Sequence, residues 1–111
     1  MNTAKAITKF IRISPRKARL AAGLIRGLPI ARAKEQLLVC QLKAGRILGR
    51  TLDSAIANGE TVHNMRREKM FVREVFVDAG PVFKRSKPKN KGGSHPIMKR
   101  TSHFTIVVGE E

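Results

Sequence analysis

Hydrophobic positions recur along this chain with two different periods, and the changes of period divide it into elements. Met1 to Ile13 sets Ile7, Phe10, Ile11 and Ile13 among Lys5, Lys9 and Arg12, an imperfect alternation that predicts a strand. From Pro15 the period lengthens. Ala18, Ala21, Ala22, Ile25 and Leu28 follow the spacing of one helix face, which packs inward, while Arg16, Arg19 and Arg26 fall together on another. Ser14-Pro15 predicts the start of that helix: a serine hydroxyl can accept from the first-turn amides, and proline at the first helical position gives up no hydrogen bond. Gly27 predicts its end, and Pro29 opens a second helix over about Ile30 to Val39 that offers Ile30, Ala33 and Leu37 to the core.

A third, longer helix is predicted from about Gln41 to Asn58. Ala44, Ile47, Leu48, Thr51, Leu52, Ala55 and Ile56 form its apolar stripe, and Lys43, Arg46 and Arg50 share another side. Asn58-Gly59 predicts its stop, with a polar loop from Glu60 to Lys69. Period-two patterning then returns. Met70 to Asp78 predicts a strand, Gly80-Pro81 a bend where that strand leaves the body, and Phe104, Ile106 and Val108 alternate with His103, Thr105 and Val107 in the clearest strand of the chain.

Between those last strands lies Lys84 to Arg100, in which seven of seventeen residues are basic and none is acidic. Such a stretch buries too little apolar surface to offset the entropy of ordering it. A long polar segment between two good strands is usually functional. It predicts a basic arm, folded back on itself between Asp78 and His103, that reaches roughly 30 to 40 Å at about 3.3 Å per residue. The body of a chain this size has a radius of only about 13 Å.

Charge sharpens the picture. Twenty-three Lys and Arg face eight Asp and Glu, so pairing every acid internally would still leave a net charge of +15 in need of an outside partner. Nothing before Glu35 is acidic, while nine Lys and Arg fall between Lys5 and Lys34, so the first third joins the arm as basic surface. This asymmetry points to nucleic acid, and less well to an anionic membrane. The 111 residues suit one domain, spanning 1–111 with an arm at about 78–103. No apolar run reaches the roughly 18 residues of a membrane span, and no signal-peptide core opens the chain, which predicts a cytoplasmic protein or one from an organelle with its transit peptide absent. Cys40, the one cysteine, excludes an intramolecular disulfide and reads as a small hydrophobe.

No catalytic constellation, cofactor motif or metal-ligand spacing is recognisable, and Ser102-His103 are strand neighbours that face opposite sides. The chain has no Tyr or Trp, and its five Phe lie in apolar strand contexts, so base stacking is not expected to dominate. Lys and Arg contacts to phosphate should carry affinity. Gly92-Gly93 lets the arm's backbone approach a crowded surface.

Four segments, in order and spacing, carry a resemblance: SPRKARLAAGLIRG at Ser14 to Gly27, DSAIAN at Asp53 to Asn58, VFVDAGP at Val75 to Pro81, and KRTSHFTIVV at Lys99 to Val108. End to end, the chain resembles the bacterial large-subunit ribosomal proteins of the L-twenty-two family. The resemblance implies an α+β fold, with three helices packed on a small three-stranded antiparallel sheet and a long protruding basic β-hairpin. It implies a structural constituent of the large subunit, not an enzyme, that binds and orders large-subunit (23S-type) rRNA during assembly, with the hairpin lining the nascent polypeptide exit tunnel. Its implied partners are that rRNA, neighbouring large-subunit proteins and the nascent chain, with no membrane, cofactor or small-molecule substrate. The ribosome would be cytoplasmic, or that of a plastid.

By position, the family's rRNA-binding role falls on Arg12, Ser14, Arg16, Lys17, Arg19 and Arg26, and on Lys84, Arg85, Lys99 and Arg100 at the hairpin base; the basic side of the third helix adds Lys43, Arg46 and Arg50. The tunnel-facing tip falls on Lys87, Pro88, Lys89, Asn90, Lys91, Gly92, Gly93, Ser94, His95 and Pro96. There the family commonly reads Pro-Arg-Ala-Lys-Gly-Arg-Ala. Pro88, Lys91 and Gly92 fit that pattern, whereas Lys89, Asn90, Gly93 and Ser94 depart from it, and lysine lacks arginine's planar fork for bidentate contacts. The competing reading is a free-standing DNA- or RNA-binding module that uses the helix pair 15–39 as a helix-turn-helix, though beyond Gln36 its second helix carries few base-reading side chains.

Overall fold

Three antiparallel strands, ordered β1-β5-β2, carry three helices on one face, and a separate two-stranded ribbon, β3-β4, extends from one end. This is an α+β arrangement. The computed structural model describes the backbone of residues 3–88 and 94–110, and the side chains of residues 3–84 and 99–110. The elements are β1 (Thr3–Ile11), α1 (Pro15–Ala22), α2 (Ile30–Val39), α3 (Lys43–Val62), a 3-10 turn (Arg67–Lys69), β2 (Met70–Ala79), β3 (Phe83–Pro88), β4 (Ser94–Lys99) and β5 (Ser102–Glu110).

β5 is the central strand. Its Ser102, Phe104, Ile106 and Val108 turn into the core with Ala4 and Ala6 of β1 and Val72, Val75 and Val77 of β2, and all are buried. α1 adds Ala18, Ala21 and Ala22, and α3 adds Leu48, Leu52, Ala55 and Ile56. The small side chains on α1 let it lie close to the sheet, and the aliphatic stripe of α3 fills the rest. Thr51 of α3 is buried with its polar atom satisfied: Oγ1 donates to the Ile47 carbonyl at 3.0 Å and lies 2.7 Å from Thr8 Oγ1 of β1.

Three sequence expectations change. α3 runs through Asn58-Gly59 to Val62, because Gly59 is a packing position: a Cβ there would stand 2.9 Å from Met70 Cε and 3.1 Å from Met65 Sδ. Its small size admits the methionines of the following segment, so the loop expected from Glu60 begins only after Val62. α1 ends at Ala22, short of Gly27, and irregular turns connect the two. Gly27 does hold a positive φ of 82°, and its amide donates to the Val72 carbonyl of β2 at 2.8 Å. Ser14 stands at the N-cap of α1 with extended geometry, but its hydroxyl makes no capping bond; the first turn is closed by Ala18 N–H donating to the Ser14 carbonyl at 3.0 Å.

The arm begins slightly inside its expected limits. Asp78 and Ala79 still pair with His103 and Ser102 in the body sheet, and the chain departs at Gly80 and returns at Thr101. Gly80 N–H donates to the Thr101 carbonyl at 2.9 Å, and Thr101 Oγ1 donates back to the Pro81 carbonyl at 2.7 Å, which clamps the neck. Beyond it β3 and β4 pair from Phe83–Lys99 to Pro88–Ser94. The ribbon lengthens the molecule to 62 × 26 × 16 Å, with a radius of gyration of 17.0 Å against about 13 Å for a compact chain of this length.

Candidate nucleic-acid interface

Antiparallel pairing decides where the basic residues collect. β1 runs against β5 so that Ile11 lies beside Ser102, and the buried Ser102 hydroxyl donates to the Ile13 carbonyl at 2.6 Å. The segment after β1, with Arg12, Ser14, Arg16 and Lys17, is thereby held at the end of the sheet where the arm joins the body. Arg12, Ser14 and Lys17 also line one groove with Lys43 at the start of α3. From there Lys43, Arg46 and Arg50 continue along α3 in a second, open groove. Arg12, Arg16, Lys17, Lys43, Arg46, Arg50, Lys84 and Arg100 are exposed, and Ser14 and Lys99 half-buried.

The opposite end of the sheet mixes acids with bases. Glu110 closes β5 beside Met70, its carboxylate accepts from the Arg66 amide, and Glu60 pairs with Arg67 at 2.7 Å. Glu60 and Glu68 line one hollow there together with Arg66 and Arg67. The two ends of β2, ten residues long, stand roughly 30 Å apart at about 3.3 Å per residue; at this end the three acids are matched by Arg66, Arg67 and Lys69, so the excess of positive charge lies toward the neck.

Two expected contacts are committed elsewhere. Arg19 donates from Nε and Nη2 to the Val77 carbonyl, at 3.3 and 3.1 Å, and Arg26 Nη2 donates to the Val75 carbonyl at 2.8 Å. Next along, Val72 exchanges backbone hydrogen bonds with Gly27 and Leu28, and Pro29 bridges to Phe71. β2 is an edge strand, and an open edge is a template for unwanted pairing. Here two guanidiniums and one loop cover it, so Arg19 and Arg26 serve the fold directly.

The side chain of Arg85 lies outside the described residues, as do those of Lys87, Pro88, Ser94, His95 and Pro96, whose backbones form the ribbon. Lys89, Asn90, Lys91, Gly92 and Gly93 lie outside the described residues altogether.

One feature escaped the sequence. Phe10, expected as an apolar strand residue, is 60% exposed on a bulge between Thr8 and Ile11, and it packs edge-on against His103. The broken alternation at Lys9-Phe10-Ile11 was its only trace. Among the described residues no group of His, Cys, Asp and Glu could hold a metal ion, and no helix is long and apolar enough to cross a membrane.

A small α+β body that carries a basic arm, with exposed cations toward the arm's neck, has the architecture and charge of a polyanion-binding protein. Comparison with known proteins makes this specific: residues 6–109 match the family model described as Ribosomal protein L22p/L17e, and the chain belongs to that family. It is 68% identical over 108 residues to the large ribosomal subunit protein uL22 of Protochlamydia amoebophila, covering 97% of each chain. It is 59% identical over 107 residues to the uL22 proteins of Chlamydia abortus and Chlamydia pneumoniae, covering 96% of each chain in both cases.

Proposed function

We propose that this protein is a structural constituent of the large ribosomal subunit that binds and orders large-subunit rRNA. It acts by neutralising phosphates around the neck of its arm, and no step of its role requires catalysis. The observation that carries this reading is that Arg12, Ser14, Lys17 and Lys43 line one groove at the end of the sheet where the arm, with Lys99 and Arg100, joins the body. Phosphates from more than one RNA segment can be held there at once, since the cations come from the first third of the chain, α3 and the ribbon.

Family membership extends the proposal to the ribbon, which lines the nascent polypeptide exit tunnel, with residues 87–96 as its tunnel-facing tip. Neighbouring large-subunit proteins and the nascent chain are then its other contacts, in a ribosome of the bacterial cytoplasm, as the chlamydial relatives suggest. The helix-turn-helix alternative is disfavoured by the connection between α1 and α2, which is tied to the edge of β2 at Gly27, Leu28 and Pro29 and so packs into the body.

Filter binding to the protein's own large-subunit rRNA over a range of salt tests the proposal. Replacing Lys84, Arg85, Lys99 and Arg100 together by Gln should weaken binding and flatten the salt dependence by roughly 0.7 to 0.9 slope units for each phosphate no longer neutralised. Unchanged affinity and slope would refute phosphate binding at the neck.

A further inference from the structure

Phe10 is held in an unfavourable conformation and exposed at the same time. Its φ is +57°, in the left-handed region that a bulky residue rarely occupies, at a bulge where the β1–β5 register shifts between Thr8 and Ile11. The geometry is locked from the neighbouring strand. Phe10 N–H donates to His103 Nδ1 at 3.1 Å, and the two rings meet edge to face with centroids 5.0 Å apart. An exposed ring buries little apolar area in return for that strain, and strain that the surroundings enforce gathers at functional positions.

The surroundings are built to match. Thr101 and His103 both lie against Gly80: a Cβ there would meet Thr101 Oγ1 first and would stand 3.1 Å from His103 Cε1 and 3.2 Å from Nε2, so any larger residue at this turn of the neck would push on the hydroxyl and on the imidazole. With Nδ1 accepting from the Phe10 amide, the neutral ring carries its hydrogen on Nε2, on the edge that Gly80 leaves without a covering side chain. Lys9 and Arg12 flank Phe10 in the chain and are exposed. Asp78 is the register partner of His103 and is also exposed. A carboxylate beside the imidazole repels a phosphate, so the aromatic pair itself suits an uncharged group, and the anionic parts of a ligand belong with Lys9 and Arg12.

We propose that Phe10 and His103 form a seat for one unpaired rRNA base at the neck of the arm, stacked on the exposed Phe10 ring, with the adjoining phosphates held by Lys9 and Arg12. Aromatic rings accept any base, because every base has a π face, and a seat beside the ribbon fixes where the RNA strand turns. This rests on the rRNA-binding reading above and adds an interaction that phosphate neutralisation alone does not supply.

Phe10→Gly separates the seat from a structural role, since glycine accepts the positive φ without strain and removes only the ring. The full-length variant should keep or raise the melting temperature of the unaltered protein. Its affinity for the protein's own large-subunit rRNA should fall at least about fivefold, the lower bound for one stacked base, with the salt slope unchanged because every phosphate-binding cation is kept. Chemical probing should show one unpaired base protected by the unaltered protein and reactive with the variant, and Phe10→Tyr should restore both. Unchanged RNA affinity in Phe10→Gly would overturn the seat, including the case in which the variant instead loses a protein neighbour through this face. A drop in melting temperature with affinity intact would overturn it in favour of a structural ring. Failure of the unaltered protein to bind this RNA in a salt-dependent way would overturn the underlying reading and the seat with it.

Discussion

The hydroxyl of Ser102 donates to the carbonyl of Ile13 across 89 positions of sequence, at 2.6 Å and fully buried. This bond joins the return of the arm to the entrance of α1, so the two basic regions of the sequence meet at one place. Ser102→Ala leaves a buried carbonyl without its donor, which costs about 1 to 3 kcal/mol. The variant should melt at a lower temperature, and its rRNA affinity should fall and its salt slope flatten as the two basic regions come out of alignment on the phosphates. A variant as stable as the unaltered protein would show that the bond does not hold the neck together.

The arginines of the first helical region should divide into two kinds. Arg19 and Arg26 donate to the carbonyls of Val77 and Val75 on the edge of β2, so replacing both by Gln should lower the melting temperature, at about 1 kcal/mol for each bond, and leave the salt slope close to that of the unaltered protein. Arg16→Gln with Lys17→Gln should do the reverse, flattening the slope by roughly 0.7 to 0.9 units for each phosphate released while stability is kept. The opposite outcome, with stability tracking Arg16 and Lys17, would contradict the division.

How much of this was legible in the sequence depends on the range of the forces involved. Period and local stereochemistry placed all three helices, the strands either side of the arm and the break at Gly80-Pro81, because each rests on neighbours within a few positions. Gly59 misled for a non-local reason. A glycine after Asn58 reads as a stop, yet it is small to admit Met65 and Met70. Ser14 occupies the expected N-cap without bonding as one, which leaves its hydroxyl in the groove beside Arg12 and Lys17. Charge counting found the basic surface but could not separate Arg19 and Arg26, which protect a strand edge, from Arg16, on the same helical face. That distinction depends on β2, some fifty positions away. Phe10 was hidden because a bulge resets which side a strand residue faces, and its partner His103 lies almost at the other end of the chain.

On this reading the protein lives in the large ribosomal subunit, bound to its rRNA. Sedimentation of the tagged full-length protein from its own cell lysate through a sucrose gradient, at low and then high salt, tests it most directly. Co-migration with the large subunit at both salts is predicted, because contacts spread over body and arm should outlast the screening of any one of them. Release into the light fractions at both salts would contradict the claim.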